Sequence, residues 1–156
     1  MPITTFLPNP TLLAEQTILS YISSSLAGYG VIDVATNFYC GVANTDVEGP
    51  AVVVAVNSAQ ETYFQTRVFR INADISTRMI AADSYTSSNV TGSSISLGGE
   101  VFSLFNDDSL ATRGLNSQSS SLAVYQTQVM DYRNERIEDA WISNLNVNLI
   151  AMVVSH

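Results

Sequence analysis

The chain has 156 residues, with 14 acidic side chains against six basic ones, all arginine, and a formal net charge of -8; it holds one cysteine, one histidine and no lysine. That balance opposes clamping a phosphate backbone, which needs clustered cations to displace counterions, and Cys40 has no second cysteine for a disulfide or a paired thiolate metal site. With 46% hydrophobic and 13% charged residues, and about 29% serine, threonine and asparagine, the composition fits one folded β-rich domain rather than a disordered acidic tail.

The opening MPITTFLPNP has neither a positive leader nor a continuous apolar run, so no signal peptide is expected. No apolar stretch approaches the roughly 20 residues that span a bilayer, so no membrane partner is expected either. Asn9 and Pro10 are start signals for a helix over 10–27. Leu12, Leu19, Ile22 and Leu26 form its apolar stripe, widened by Ile18, and Gly28 supplies a left-handed stop. A short strand follows over Phe38 to Ala43, then DVEGP turn chemistry and the run AVVVAVN over Ala51 to Asn57, which suits a strand covered on both faces.

After a SAQET connection, Tyr63 to Ala82 reads as one long half-exposed strand. Tyr63, Phe69, Ile71 and Ile75 share one parity, and Thr66, Arg70, Asn72, Asp74 and Arg78 share the other, with a bulge in this strand expected near Ala73 to Ser76. The serines and glycines from Asp83 to Gly99 predict a flexible loop. Val101, Phe102, Phe105 and Leu110 then mark a short helix over Glu100 to Leu115. A serine-rich link over Asn116 to Ser121 leads to strands Leu122 to Tyr132 and Ile142 to Val154, joined across the charged RNERIED segment, with Leu145, Val147, Leu149 and Ala151 alternating with Asn144, Asn146 and Asn148. The order specifies a single α+β domain over 1–156: a mainly antiparallel sheet with one long N-terminal helix and a shorter second helix packed on it.

Chemistry-bearing constellations are sparse. His156 is the last residue, and no GxSxG elbow or internal histidine supports a serine nucleophile. Asp107 with Asp108, and Glu135, Glu138 and Asp139, read as solvated faces or helix-end devices, and Gly28 with Gly30 follows a helix where a phosphate cradle would follow a strand. Asn89-Val90-Thr91 matches a glycosylation acceptor, which has no use without a secretion signal. Cys40 is expected as a small buried filler. Arg67, Arg70 and Arg78 share one strand, either as a solubilising face or as forks for acids of a neighbouring chain. Trp141 reads as a core or edge anchor. No catalytic, cofactor or metal residues are expected, and the chain is not expected to be an enzyme.

The element order resembles the tail-terminator and tail-completion proteins of tailed bacteriophages. The resemblance rests on LLAEQTILSYISSSL, the strands around AVVVAVN and TRVFRINADISTRM, VFSLFNDDSL, and the closing AVYQTQVMDY and AWISNLNVNLIAMVV. It implies a structural virion protein assembled in the host cytoplasm. Such a protein forms a ring, usually a hexamer, that caps the tail tube at the neck, docks the head-completion or connector protein and lets DNA pass without specific binding. An exposed edge of the strand Tyr63 to Ala82 and the loop Asp83 to Gly99 are then the expected subunit contacts, with Arg67, Arg70, Arg78, Tyr85, Asn89 and Trp141 as candidate interface residues. The alternatives are a head-to-tail connector ring and a monomeric ligand- or protein-binding α+β module.

Overall fold

The computed structural model describes residues 9–29, 37–41, 51–61, 67–80, 93–137 and 140–154. Helix α1 spans Pro10–Tyr29. Asn9 caps it as expected: its Oδ1 accepts at 2.9 Å from the Thr11 N–H, a donor that a helix start leaves open, and its carbonyl accepts the first intrahelical bond, from the Leu13 N–H at 2.9 Å. The buried stripe consists of Ala14, Thr17, Ile18, Tyr21, Ile22 and Leu26, steps of one, three and four that keep to one face. Leu12 is off that stripe and 51% exposed, since two residues before Ala14 is about 200° round the helix. The helix also runs through Gly28 rather than stopping there.

Strands β1 (Asn37–Cys40), β2 (Ala51–Glu61), β3 (Val68–Ile80), β4 (Leu122–Ile137) and β5 (Ala140–Val153) form one sheet in the order β1-β2-β3-β5-β4. β1 pairs parallel with β2 and the other three pairings are antiparallel, so the chain adopts the expected α+β class. β3 and β5 pair without interruption from Val68 opposite Met152 to Ile80 opposite Ala140. Ile71, Ala73, Ile75 and Thr77 are buried together with Leu145, Val147, Leu149 and Ala151. The even-numbered residues of both strands take the opposite face, as the period of two predicts.

Three expectations about the strands need correction. The bulge lies on β2: Val56 pairs with Ala73 and Ser58 with Asn72, leaving Asn57 as the extra residue. Ser58 to Glu61 continue β2, and Arg133 to Ile137 continue β4, because cross-strand pairing outweighs the polar composition that suggested connections. β3 is interior, hydrogen-bonded to β2 on one side and β5 on the other, so the long strand offers no edge to a neighbouring subunit. The two-sided cover expected for AVVVAVN is present: Val52 and Val54 join the main core, while Ala51 and Val53 form a separate buried cluster.

Of the segment expected as a loop followed by one helix, 83–92 lies outside the described residues and the rest holds two helices, α2 (Ser93–Asn106) and α3 (Asp108–Asn116), making three among the described residues. Asp107 divides them: its backbone is extended and its Oδ1 accepts from the Leu110 N–H at 3.1 Å, capping α3. Gly98, which read as loop, lies buried in α2, where a Cβ would stand 2.5 Å from the Ser143 Cβ on β5. Gly114 of α3 is likewise pressed against α1, with a Cβ falling 2.1 Å from a Tyr21 ring carbon. Small residues here permit close seating of helices rather than flexibility. Tyr21 donates to the Leu104 carbonyl at 2.7 Å and meets Phe105 edge to face, with ring centroids 5.4 Å apart; this joins α1 to α2.

Ile22→Asp is expected to unfold the domain, because an unpaired carboxylate at a fully buried site costs several kcal/mol, whereas Leu12→Asp should leave the thermal midpoint nearly unchanged. A second expectation is that Gly114→Ala lowers stability by about 1–3 kcal/mol through overpacking against Tyr21. Chemical denaturation of the two alanine variants Gly114→Ala and Ser109→Ala, the second at an exposed site, checks that the loss comes from the contact.

Candidate functional site

The described helices pack on the face carrying the odd-numbered residues of β3 and β5. The opposite face is an array of carboxamides built on the β3–β5 register. Asn72 donates to the Oδ1 atoms of Asn146 at 2.9 Å and Asn148 at 2.7 Å, and its own Oδ1 accepts from Asn57 at 2.9 Å and Asn146 at 3.0 Å. Asp74 closes the array, accepting from Asn57 at 2.8 Å and Asn146 at 2.7 Å. The bulge at Asn57 places its side chain beside both β3 acceptors. Ser76 donates to Asn144 at 2.7 Å.

Among the described residues the charge on this face is balanced. Arg70, Asp74 and Arg78 share the even parity of β3, and Asp131, Arg133 and Glu135 stand opposite Asn146, Asn144 and Ile142 of β5, giving three arginines and three carboxylates. Arg133 pairs with Asp131 at 3.2 Å, an exposed contact of little energetic weight. Next to the array, Arg70, Gln126, Gln128, Asn148 and Ile150 line a notch of about 330 Å³. The alternation Gln126-Thr127-Gln128 was visible in the sequence, but nothing there indicated that both glutamines would stand beside Arg70.

The sheet margins are engaged by side chains. At the β2 edge the Glu15 carboxylate accepts from the Val56 N–H at 3.1 Å, next to where β1 ends. On β4, the Asn116 carboxamide donates to the Val124 carbonyl at 2.9 Å and accepts from its N–H at 2.7 Å. Two bulges follow on the same strand, at Tyr125 and Met130, and these are two of the large apolar side chains most open to solvent, 56% and 52% exposed. Interruptions of this kind oppose strand addition at an edge.

Of the residues singled out from sequence, β3 presents Arg70 and Arg78 on one face but eight residues apart, about 26 Å along the strand. Arg67 is not on the strand: it occupies the turn before β3 with φ 72°, its N–H donates to Glu61 at 3.2 Å, and its carbonyl accepts from Val153 at 2.8 Å. The three arginines therefore form no single patch. Trp141 sits in β5 between Met79 and Arg136 in register, a position inside the sheet rather than at its margin. Tyr85 and Asn89 lie outside the described residues, as does His156. Among the described residues no group of three histidine, cysteine or acidic side chains is gathered to hold a metal ion, and no helix is long and apolar enough to cross a membrane.

No protein-family model matches the chain, and no curated protein matches it. Among solved structures it is similar to a chain of the virion of a native gene transfer agent particle, with 11% sequence identity, a TM-score of 0.46, and coverage of 91% of this chain and 95% of that one.

Cys40 is half-buried at the end of β1, in register with Val54. Burial pushes its thiol pKa up, and the nearby Glu15 carboxylate adds to the shift. A raised pKa keeps the thiol protonated, so alkylation by iodoacetamide should be slower than for a free thiol at mildly alkaline pH and should keep rising above the ordinary thiol range. Glu15→Gln should move that profile to lower pH by a minor part of the shift, burial remaining; mass-spectrometric rate measurement across pH checks both the position and the direction.

Proposed function

We propose that this chain is a structural protein of a phage-like particle, a tail-terminator-like subunit whose ring caps a tail tube and joins it to a head-completion or connector protein. The neck of the virion is its place, the host cytoplasm its place of assembly, and it performs no catalysis. The observation that carries this reading is the arrangement of the sheet: helices cover one face, while the other is a charge-balanced carboxamide surface on a molecule with a net charge of -8. Such a surface lets acidic copies meet where mutual repulsion is least. Passage of DNA also fits, because a surface with few and mostly balanced cations gives phosphates little to hold.

The margins favour contacts made by side-chain faces. β3 is interior, and the edges at Val56 and Val124 are engaged by Glu15 and Asn116. Subunits would therefore dock through faces and bulged side chains, a heterologous contact that closes into a ring when its rotation permits.

Purified protein added to polymerising tail-tube protein should shorten the tubes and appear as a ring at one end by electron microscopy. Tubes of unchanged length, together with binding to portal complexes, would transfer the assignment to a connector. A monomer at every concentration, inert toward both, would leave the binding-module alternative.

A further inference from the structure

The notch beside the carboxamide array has a composition that the array does not explain. Its residues fall in two neighbouring rows of the register: Arg70, Ile150 and Gln126 stand across β3, β5 and β4 in one row, and Asn148 and Gln128 stand in the next, beside Asn72 of the array. Strand spacing separates the outer backbones of a row by about 10 Å, wide enough for a planar group to enter between Arg70 and Gln126. Ile150 forms the floor and Asn148 and Gln128 the far wall.

The notch is rich in donors. Among the described residues the side chain of Arg70 makes no ion pair or hydrogen bond, and neither do the side chains of Gln126 and Gln128. The Asn148 oxygen already accepts from Asn72, which leaves its NH2 group as the available end. The nearest carboxylate on the same strand, Asp74, is held by Asn57 and Asn146. A guanidinium fork flanked by carboxamide donors matches a planar anion with two oxygens. The apolar floor suits the methylene groups that carry a side-chain carboxylate. A phosphate backbone is a poorer fit, since it is a line of charge whose capture needs several cations, and the surrounding face is balanced.

We propose that this notch receives an acidic side chain from a second copy of the chain. The occupant rests on the ring reading above and on charge complementarity. Within the described residues, Glu15, Glu61, Glu100, Asp107 and Asp108 all lie away from the carboxamide face, opposed there by fewer arginines. Receptor and acid thus occupy different patches of one subunit, which gives a head-to-tail contact.

The test compares wild type, Arg70→Gln, Arg70→Lys and Gln128→Leu by sedimentation velocity over protein concentration and sodium chloride, with and without tail-tube protein, after thermal melting has confirmed folding. Arg70→Gln should raise the concentration for half-assembly about tenfold or more and flatten its salt dependence. Arg70→Lys should recover part of the loss, and Gln128→Leu, which keeps the arginine, should weaken assembly less. Wild-type assembly that Arg70→Gln leaves unchanged in concentration and salt slope would remove the notch while the ring reading stands. Absence of assembly in wild type under every condition would remove both. Binding of a labelled DNA oligonucleotide by wild type, lost in Arg70→Gln, would reassign the notch to phosphate and overturn the proposal.

Discussion

The unbroken register between β3 and β5 is the constraint on which the other features depend. It runs from Val68 opposite Met152 to Ile80 opposite Ala140 and sets apolar residues on one face of the sheet and carboxamides on the other. Slipping it by one residue would turn Arg70, Asn72 and Asp74 toward α1 and α2 and expose Ile71, Ala73 and Ile75. The side-chain bonds among Asn72, Asp74, Asn146 and Asn148 form only in the observed alignment, so polar pairing on one face and burial on the other select the same register. Such agreement between independent terms favours a single native arrangement.

The helix layer depends on that sheet for its seating. Gly98 lets α2 approach Ser143 and Thr77 of the central strands, and Gly114 lets α3 lie against the Tyr21 ring of α1. The same layer supplies Glu15 and Asn116, which reach the sheet margins at Val56 and Val124. Helices here contribute burial on one face and polar closure at two edges. No described element covers the carboxamide array itself, although the end of that face at Ala51 and Val53, beside Arg78 and Ser76, is buried; side-chain faces rather than strand edges are therefore the means of association left at the array.

Much of this was legible in the chain. The parity of Ile71 and Ile75 against Arg70, Asn72 and Asp74, and of Leu145, Val147 and Leu149 against the three asparagines, located both faces, because a strand's period of two is local and survives folding. Asn9 announced the start of α1 for the same reason, a cap being a contact between near neighbours in sequence. Less legible were features fixed by distant partners. Gly98 looked like loop because smallness has two uses, flexibility and close approach, and only the position of Ser143 distinguishes them. β3 was expected to expose an edge, since nothing in its own residues states that β5, some seventy positions later, pairs with it. The notch was missed because Arg70, Gln126 and Asn148 come from three strands, and register alone makes them neighbours.

Net charge by itself also misdirects. A value of -8 suggests an acidic surface all round, yet among the described residues three of the six arginines stand on the carboxamide face and offset three carboxylates there. The mean field at long range remains repulsive to DNA and to another copy alike, but it is screened within roughly 8 Å at physiological ionic strength. Inside that distance local composition decides what can approach. A balanced, donor-bearing face on an acidic molecule therefore discriminates by geometry: a polyanion meets the Arg70 guanidinium among neutral amides, while an isolated carboxylate meets a fork with Ile150 beneath it. The absence of lysine sharpens this difference, because every cation in the chain has a planar fork rather than a mobile point charge.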